Sequence, residues 1–539
     1  MSISGLFNIG RSALTANQTA LAVTSNNIAN ANTLGYSREE VVLSVTRPES
    51  TASGYLGTGV SAVSIMRSFN RFIQMQLLGQ QQNQGRSSAM DQTWGQVEAL
   101  VNELQDTGLS TSLTDFFSAW NDVASAPESS TARTVLLQKA SNLTRAASSI
   151  ERSIVSTLGN TNSSITDDVK QINAIASQIA KYNTDITAAE AGQSTESAND
   201  LRDQRDEKLV ELAKLVDYST YEDPNGSITV TVGMRNLVSG SHVNTLSTTP
   251  NADGNPDLSL DGINITQNVQ GGDISGLIAA RDGIQSTTLT SLRKLVASIS
   301  QQINSLHSTG FGLDGSTGND FFNPLQLTTL NNTASATVST TITNQTALTL
   351  DEYTINFTGG NYNVYNKATG ALVTSGAYAA AGTTFVLPGI SVTISGAVTA
   401  SDSISVSPLT TAVSNFGVAL TDPNSVAAAS TAAGVPGDNA TASAIAQLTD
   451  GAITNLGGST FSDYYNGIVA AVGASRQATA DVLTFDTNVL NQMQMQRDSV
   501  SGVSLDDEAA NLIRFQRAYQ AGAQVIKVAD ELLQTILNL

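Results

Sequence analysis

The sequence predicts a multidomain, mainly α-helical protein with β insertions: coiled-coil terminal helices, a helical-bundle body and one or two small all-β domains. Three observations carry this. Apolar residues recur at helical spacing through both ends and much of the middle; two internal stretches alternate with period two among Gly, Asn and Pro; and 539 residues exceed what one hydrophobic core organises.

The first helix spans Ile3 to Asn30, because Phe7, Leu14, Leu21 and Ile28 recur every seven residues with Leu6, Ala13 and Ala20 on the same side. Ile9, Ala16 and Val23 fall beside that stripe and should stay partly exposed. The helix stops within "SNNIANANTLGYSRE", Ser25 to Glu39. There Asn30 and Asn32 tolerate left-handed backbone and can satisfy helix-end carbonyls, and Gly35 turns the chain. Asn26, Asn27, Asn30 and Asn32 together are more asparagines than a cap requires, and Tyr36 follows the glycine. Beyond it "EEVVLSVTRP" and "GVSAVSIMRS" read as short strands joined by "ESTASGYLGTG", a hairpin or extended arm.

From Phe69 to about Ile186 the pattern is helical, broken at Gly108 and Pro127. Leu136, Ala140, Leu143, Ala147, Ile150 and Ile154 form one seam; Ile165, Val169, Ile172, Ala176, Ile179, Asn183 and Ile186 form a second. The link "GNTNSS" between them is short and turn-forming, so an antiparallel hairpin of two helices, Thr131 to Ala189, is expected. "NDLRDQRDEKLVELAKLV" makes a further helix burying Leu201, Leu209, Leu212 and Val216. Tyr218 to Gln270 reads as a β insertion. Helix resumes from Ile274 to His307 on the stripe Leu289, Leu292, Val296, Ile299, Ile303 and Leu306. "EYTINFTGGNYNVYNKATGALVTSG" then marks a small β sandwich or barrel. Ala-rich sequence links it to a long helical region, and the last helix carries Leu505, Ala509, Leu512, Phe515, Tyr519, Ala523, Ile526, Ala529, Leu533 and Ile536 on one face up to Leu539.

The expected division is therefore a terminal coiled-coil unit from residues 1–45 and 500–539, and a helical body from 46–217, 271–324 and 447–499. A β insertion at 218–270, an outer β domain at 325–410 and an Ala-rich linker at 411–446 complete it. Stripes at both extreme ends imply that the chain leaves and returns through one place and that its ends pair. Such a pair leaves apolar flanks exposed, which further helices from neighbouring subunits can cover.

Composition narrows the partners. With 46 acidic and 26 basic residues the formal charge is −20, which repels phosphate backbones, so no nucleic acid is expected. There is no cysteine, hence no disulfide framework and no thiolate nucleophile. The N-terminus lacks the marks of a secretory signal and no apolar run is long enough to span a bilayer, so no membrane insertion is expected and export would use another route.

Catalytic and metal patterns are weak, and no cofactor, catalytic residue or metal ligand is assigned. "GFGLDG" follows a helix and lacks the strand-turn-helix context of a nucleotide site, and "DGSTGND" has no closing Glu for calcium and reads as a turn. His242 and His307 are the only histidines; His307, at a helix end, reads as a polar cap. Asp506, Asp507 and Glu508 precede the last helix, where they complement its dipole and cap free amides. Arg202 and Asp206 read as a solvated helix face, and Trp94 and Trp120 as core anchors.

The segment "SNNIANANTLGYSR", with "ISGLFNIGRSALTANQTALAV" before it, resembles the signature of flagellar rod, hook and junction proteins. "ANDLRDQRDEKLVELAKLVD", "VASISQQINSLHSTGFGLDGSTGNDFF" and "VSGVSLDDEAANLIRFQRAYQAGAQVIKVADELLQTILNL" resemble the flagellar hook-associated protein 1 family, as does "GLSTSLTDFFSAWNDVASAPESSTAR". The resemblance implies a non-enzymatic subunit of the hook-filament junction. It would be exported through the flagellar type III apparatus to the extracellular flagellum, and assembled as a homo-oligomeric ring beside hook protein and a second junction protein. It also implies a cytosolic export chaperone on the C-terminal helix. Assembly would use Leu6, Phe7, Leu14, Leu21 and Ile28 of the first helix and Leu505, Leu512, Phe515, Tyr519, Ile526, Leu533 and Ile536 of the last. The signature turn would comprise Asn26, Asn27, Asn30, Asn32, Gly35 and Tyr36.

Two alternatives stay open. One is another axial protein such as hook protein, against which the expected hairpin argues. The other is a secreted glycan-binding or hydrolytic protein acting through the module Thr333 to Pro408, with Glu352 and Asp402 as carboxylates and Tyr353, Tyr362 and Tyr365 as a sugar platform.

Overall fold

In a computed structural model the described residues are 3–33, 35–51, 54–102, 108–191, 198–251, 253–331, 335–400 and 402–537. The chain opens with α1 (Ile3–Ala29) and an arm in which β1 (Glu39–Val45) pairs antiparallel with β4 (Val60–Arg67), while β2 (Glu49–Thr51) and β3 (Gly54–Leu56) extend it. α2 (Arg71–Val101), α3 (Leu109–Ser125), α4 (Ser130–Glu190) and α5 (Asn199–Leu215) follow. Asn70 starts α2 by accepting from the Phe72 and Ile73 amides, and Ser129 starts α4 by accepting from the Ala132 amide.

The expected hairpin is not there. α4 is one helix of 61 residues, about 90 Å long at 1.5 Å per residue. The buried series Ile154, Leu158, Thr161, Ile165 keeps helical register straight through the link read as a turn. Its polar residues bond backward instead of capping: Thr161 Oγ1 donates to the Thr157 carbonyl at 2.9 Å and Ser163 Oγ to that of Gly159 at 3.1 Å. With the hairpin goes the case it made against a hook-type protein.

The β insertion comprises β5 (Ser219–Glu222), β6 (Ile228–Val232), β7 (Arg235–Ser239) and β8 (His242–Val243) in one sheet, and β9 (Leu246–Pro250), β10 (Pro256–Leu260) and β11 (Ile263–Asn264) in another. Its core residues Val230, Val232, Leu237 and Leu258 pack with Ile172, Ile179 and Leu212 of α4 and α5. α6 (Gly272–Gly283) runs through a π-helical turn, Ile284–Leu289, into α7 (Thr290–His307).

The outer domain contains β12 (Thr328–Asn331), β13 (Thr337–Ile342), β14 (Tyr353–Thr358), β15 (Asn361–Asn366), β16 (Leu372–Ala377), β17 (Thr383–Leu387), β18 (Ile390–Ser395) and β19 (Ser403–Ser407). They form a five-stranded sheet, β12-β19-β14-β15-β16, and a three-stranded one, β13-β18-β17, with Ile355, Val364, Val392 and Ile404 in the shared core. Left-handed Gly359 and Gly360 make the β14–β15 turn. Tyr353 and Tyr362 are buried in that core, which removes the sugar platform. Of the carboxylates, Glu352 accepts from Ser407 Oγ at 2.6 Å and Asp402 from the Thr399 amide at 2.7 Å.

The remainder is α8 (Ala440–Ala446), α9 (Phe461–Ser501) and α10 (Leu505–Leu537); the expected extension to Leu539 lies outside the described residues. Residues 411–446 do not behave as a linker, because Val426 and Ala428 are buried in the central cluster with Trp120, Phe321 and Phe461, and Ala427 and Ala429 are buried as well. Small side chains let the backbone cross the core, and its polar groups are met. Phe311 and Ala429 exchange backbone bonds, the Arg133 guanidinium donates to the Val426 carbonyl, and the Ala427 amide donates to His307 Nε2 at 2.8 Å.

His307 is therefore no cap. It is 1% exposed, edge-on to Trp120 and Phe321, and its Nδ1 donates to the Asn319 carbonyl at 2.7 Å. Burial pushes its pKa down to about 4. Trp94 and Trp120 are core anchors, and Gly310 to Gly315 is a turn in which Asp314 accepts from the Ser316 amide and hydroxyl.

Candidate functional site

α1 and α10 lie antiparallel. Gly10 faces Ile526, Leu14 faces Gly522, and Asn27 reaches Glu508. A Cβ on Gly10 would stand 2.6 Å from Ile526 Cγ1, so the absence of a side chain sets the separation. The buried positions of α1 are Gly10, Ala16, Ala20, Val23, Thr24 and Asn27, and those of α10 are Glu508, Gly522 and Ala529.

The heptad stripe is thus not the pairing seam. Phe7 is 41% exposed and Ile28 is also exposed, while Leu6, Leu14 and Leu21 are half-buried, and Ala16 and Val23, expected at the margin, are covered. A strict seven-residue repeat drifts about 20° per heptad around a straight helix, so its ends leave the contact that its middle keeps. On α10, Leu505, Tyr519, Leu533 and Ile536 are exposed, and Leu512, Phe515 and Ile526 half-buried. The pair buries Gly10, Ala16, Ala20, Gly522 and Ala529 and leaves Phe7, Ile28, Leu505, Tyr519, Leu533 and Ile536 exposed.

The asparagine turn joins this pair to the arm. Asn27 uses its whole amide: Oδ1 accepts from the Glu39 amide at 2.9 Å and from Tyr36 Oη at 2.8 Å, and Nδ2 donates to the Glu39 carbonyl at 2.8 Å and to Glu508 Oε2 at 3.2 Å. It pairs with Glu39 as a neighbouring strand would. Asn30 caps the helix, donating from Nδ2 to Oδ1 and the carbonyl of Asn26, and Asn26 Nδ2 donates to Tyr36 Oη at 3.4 Å. Gly35 has φ +81°, the left-handed geometry the turn needs. Asn32 stays exposed on the rim of a surface groove of about 840 Å³. Burial, with Glu39 nearby, raises the Tyr36 phenol well above its usual pKa and keeps it a donor.

Several residues here escaped the sequence reading. Glu508, expected as a cap, is 1% exposed and accepts from Asn27 and from Arg38 Nε at 2.7 Å; Ser504 Oγ is the group that accepts from a first-turn amide, that of Asp507. Asp206, expected on a solvated face, accepts from Arg67 NH1 at 2.8 Å, and Arg202 pairs with Glu190 and Glu222. Asp203 accepts from Arg67 at 2.5 Å and from the amide and hydroxyl of Ser37. Burial pushes the Asp206 carboxyl up, against the pull of Arg67. The partners of Asp203, Asp206 and Glu508 arrive from more than a hundred residues away and leave no trace in helical spacing, and those of Arg202 lie on other elements; the lone Arg38 after an uncharged stretch is the one available signal.

Among the described residues no group of three or more acidic, His or Cys side chains could hold a metal ion, and no helix is long and apolar enough to cross a membrane.

Four family descriptions match the chain. "Flagellar hook-associated protein FlgK helical domain" covers residues 94–322, and "Flagellar hook-associated protein 1, D2-like domain" covers 327–408. "Flagella basal body rod protein" covers 7–36 and "Flagellar basal body rod FlgEFG protein C-terminal" covers 496–539, which are the turn-bearing α1 and the α10 described above. Flagellar hook-associated protein 1 of Salmonella typhimurium is 31% identical over 560 residues, and that of Escherichia coli 28% over 552, each spanning 100% of both chains. The Bacillus subtilis protein of that name is 26% identical, covering 98% of this chain and 96% of its own. A solved structure of the flagellar hook junction protein FlgK from Burkholderia pseudomallei shares the fold with TM-score 0.68 at 20% identity, covering 79% of this chain and 100% of that one. With full-length identity to named relatives, and with the paired termini each matching a flagellar description, the chain belongs to the flagellar hook-associated protein 1 family.

Proposed function

We propose that this chain is a structural subunit of the hook-filament junction of the bacterial flagellum, joining hook to filament through its terminal helices. The observation that carries the reading is the outward apolar face of the α1–α10 pair: Phe7, Ile28, Leu505, Tyr519, Leu533 and Ile536 are exposed on helices that pack on each other rather than on the body. Exposed apolar area of this kind is costly in water and is removed when neighbouring subunits supply the missing helices. A homo-oligomeric ring in contact with hook protein and a second junction protein supplies them. Lateral and axial contacts perform the work.

Before assembly the same face needs cover. An export chaperone holding α10 in the cytosol, through Leu512, Phe515, Tyr519 and the neighbourhood of Ile526, fits a chain delivered through the type III apparatus to the cell exterior. Ile526 is already packed on Gly10, so chaperone binding there would require α1 and α10 to part.

The test is Phe7→Asp with Ile536→Asp in cells. Unaltered circular dichroism of the purified chain, loss of label between hook and filament in microscopy, and loss of filaments but not hooks are expected. Normal incorporation of the doubly substituted chain would overturn the reading.

A further inference from the structure

The outer β domain keeps almost all of its apolar contact to itself. Among the described residues, Ala297 of α7 is the one buried member of its cluster that comes from outside 325–412. One turn along α7, Gln301 Nε2 donates to the Leu348 carbonyl at 3.0 Å, and Asn455 Nδ2 donates to Gln301 Oε1 at 2.7 Å. One methyl group and a short chain of amides therefore seat the domain on the body. The polypeptide enters it just before β12 and leaves it just after β19.

Away from this seat the domain does not close on the body. A cleft of about 650 Å³ lies between Thr328, Asp351 and Ser405 of the domain and Gln285, Thr290 and Lys294 of the body. Two turns meet across it, each braced by an asparagine. In the β9–β10 turn Asn251 Oδ1 accepts from the Asp253 and Asn255 amides, and Asn255 is tied to Asn162 of α4 at 2.9 Å and to Gln285 of the π-helical turn at 2.8 Å. In the β15–β16 turn Asn366 Oδ1 accepts from the Ala368 and Thr369 amides, and the Lys367 amide donates to the Glu352 carbonyl at 2.8 Å. Each turn presents one charge to the other: Lys367 Nζ stands 3.0 Å from Asp253 Oδ1. Among the described residues no other ion pair joins the outer domain to the rest of the chain. A domain that shares so little apolar area with its neighbour is free to rock unless something polar steers it.

We infer that Lys367 and Asp253 form a clasp that biases the outer domain toward one inclination against the β insertion, and that the domain rocks on its seat at Ala297 and Gln301 when the clasp parts. Because asparagines already fix both turns, forming the pair orders little beyond the lysine's own rotamers. Its side chains are 40% and 32% exposed, so water and salt screen it, and a pair of this kind shifts an equilibrium by no more than about fivefold. It steers the domain without locking it, and any stronger contact from outside overrides it. The clasp lies within the body, so it stands independently of the terminal helices and of where the chain assembles.

The chain has no cysteine, so two spin labels can be placed cleanly, at Ser375→Cys on β16 and Gln178→Cys on α4, both exposed. Pulsed-dipolar distances on the full chain should give one major component, that of the clasped arrangement. Lys367→Glu sets two carboxylates against each other and should lower the ratio of clasped to open molecules about fivefold, and about 1 M sodium chloride should move the parent in the same direction. Asp253→Lys added to Lys367→Glu puts opposite charges together again and should restore the parent distribution, which repair of a packing defect would not explain. A Lys367→Glu distribution identical to that of the parent, or one that the paired reversal leaves open, would overturn the clasp.

Discussion

Single residues decide where the polypeptide can pass through its own core. His307 holds the Asn319 carbonyl with one nitrogen and the Ala427 amide with the other, a geometry that only the neutral ring with its proton on Nδ1 satisfies. Because its folded pKa, about 4, lies below the unfolded 6.5, the unfolded state takes a proton first as pH falls. Stability is complete above about pH 6.5 and declines toward pH 4, by about 3 kcal/mol in total. Denaturant titrations at pH 7.5 and 4.5 should show that loss, and His307→Gln should remove most of it; equal slopes in both proteins would refute the assignment. Asp168 works in the opposite sense. Burial, with Asp273 beside it, pushes its carboxyl up to about 7, so stability present below the ordinary carboxylate range is lost as pH rises toward neutrality. Asp168→Asn should raise the melting temperature at pH 8 and leave it unchanged at pH 4. Arg133, 1% exposed, gives its guanidinium to the Pro127 and Val426 carbonyls. Arg133→Met strands both acceptors and should cost about 2–3 kcal/mol, and Arg133→Lys should not restore it, since one ammonium cannot fork over two carbonyls.

At the scale of elements, what was legible was periodicity and what was not was partnership. The stripe of α7, the alternation of β14 and β15 and the seams of α4 all carry local signals, and each lies where its period placed it. The link at Gly159 was misread because Gly-Asn is a turn signal when nothing opposes it, whereas Leu158 and Thr161 continue the buried row. A Cβ at Gly159 meets nothing within 4 Å, so Gly159→Ala should stabilise the chain by about 1 kcal/mol if the helix is continuous; destabilisation would favour a turn. In α1 the period was visible but the side that pairs was not, because close approach is set by Gly10, which hydrophobic pattern scores as a gap. Gly10→Val should loosen α1 and α10, seen as faster amide exchange in both, without lowering the melting temperature of the body, since the two share no apolar cluster.

For the molecule as a whole, α4 is the spine. Its first half, to Leu158, belongs to the cluster with Trp120 and Phe321, and its second, from Ile165, to the cluster with the β insertion. Fully buried Arg205 and Arg281 tie that insertion back to α4, through Asn183 and Asn162, much as Arg133 ties in residues 426–429. The turn signature, the outer β domain and the terminal helices could all be found in the sequence, but the joint among Asn27, Arg38, Glu508, Arg67 and Asp203 could not, because it unites segments up to 481 residues apart. That joint hands an apolar pair of helices to whatever surrounds it. Amide hydrogen exchange of α1 and α10, compared between the free chain and hook-filament junctions isolated from cells, tests this most directly. Exchange that is faster on both helices than in the body of the free chain, and strongly slowed in the junction, is expected; equally slow exchange of these helices in both states would contradict it.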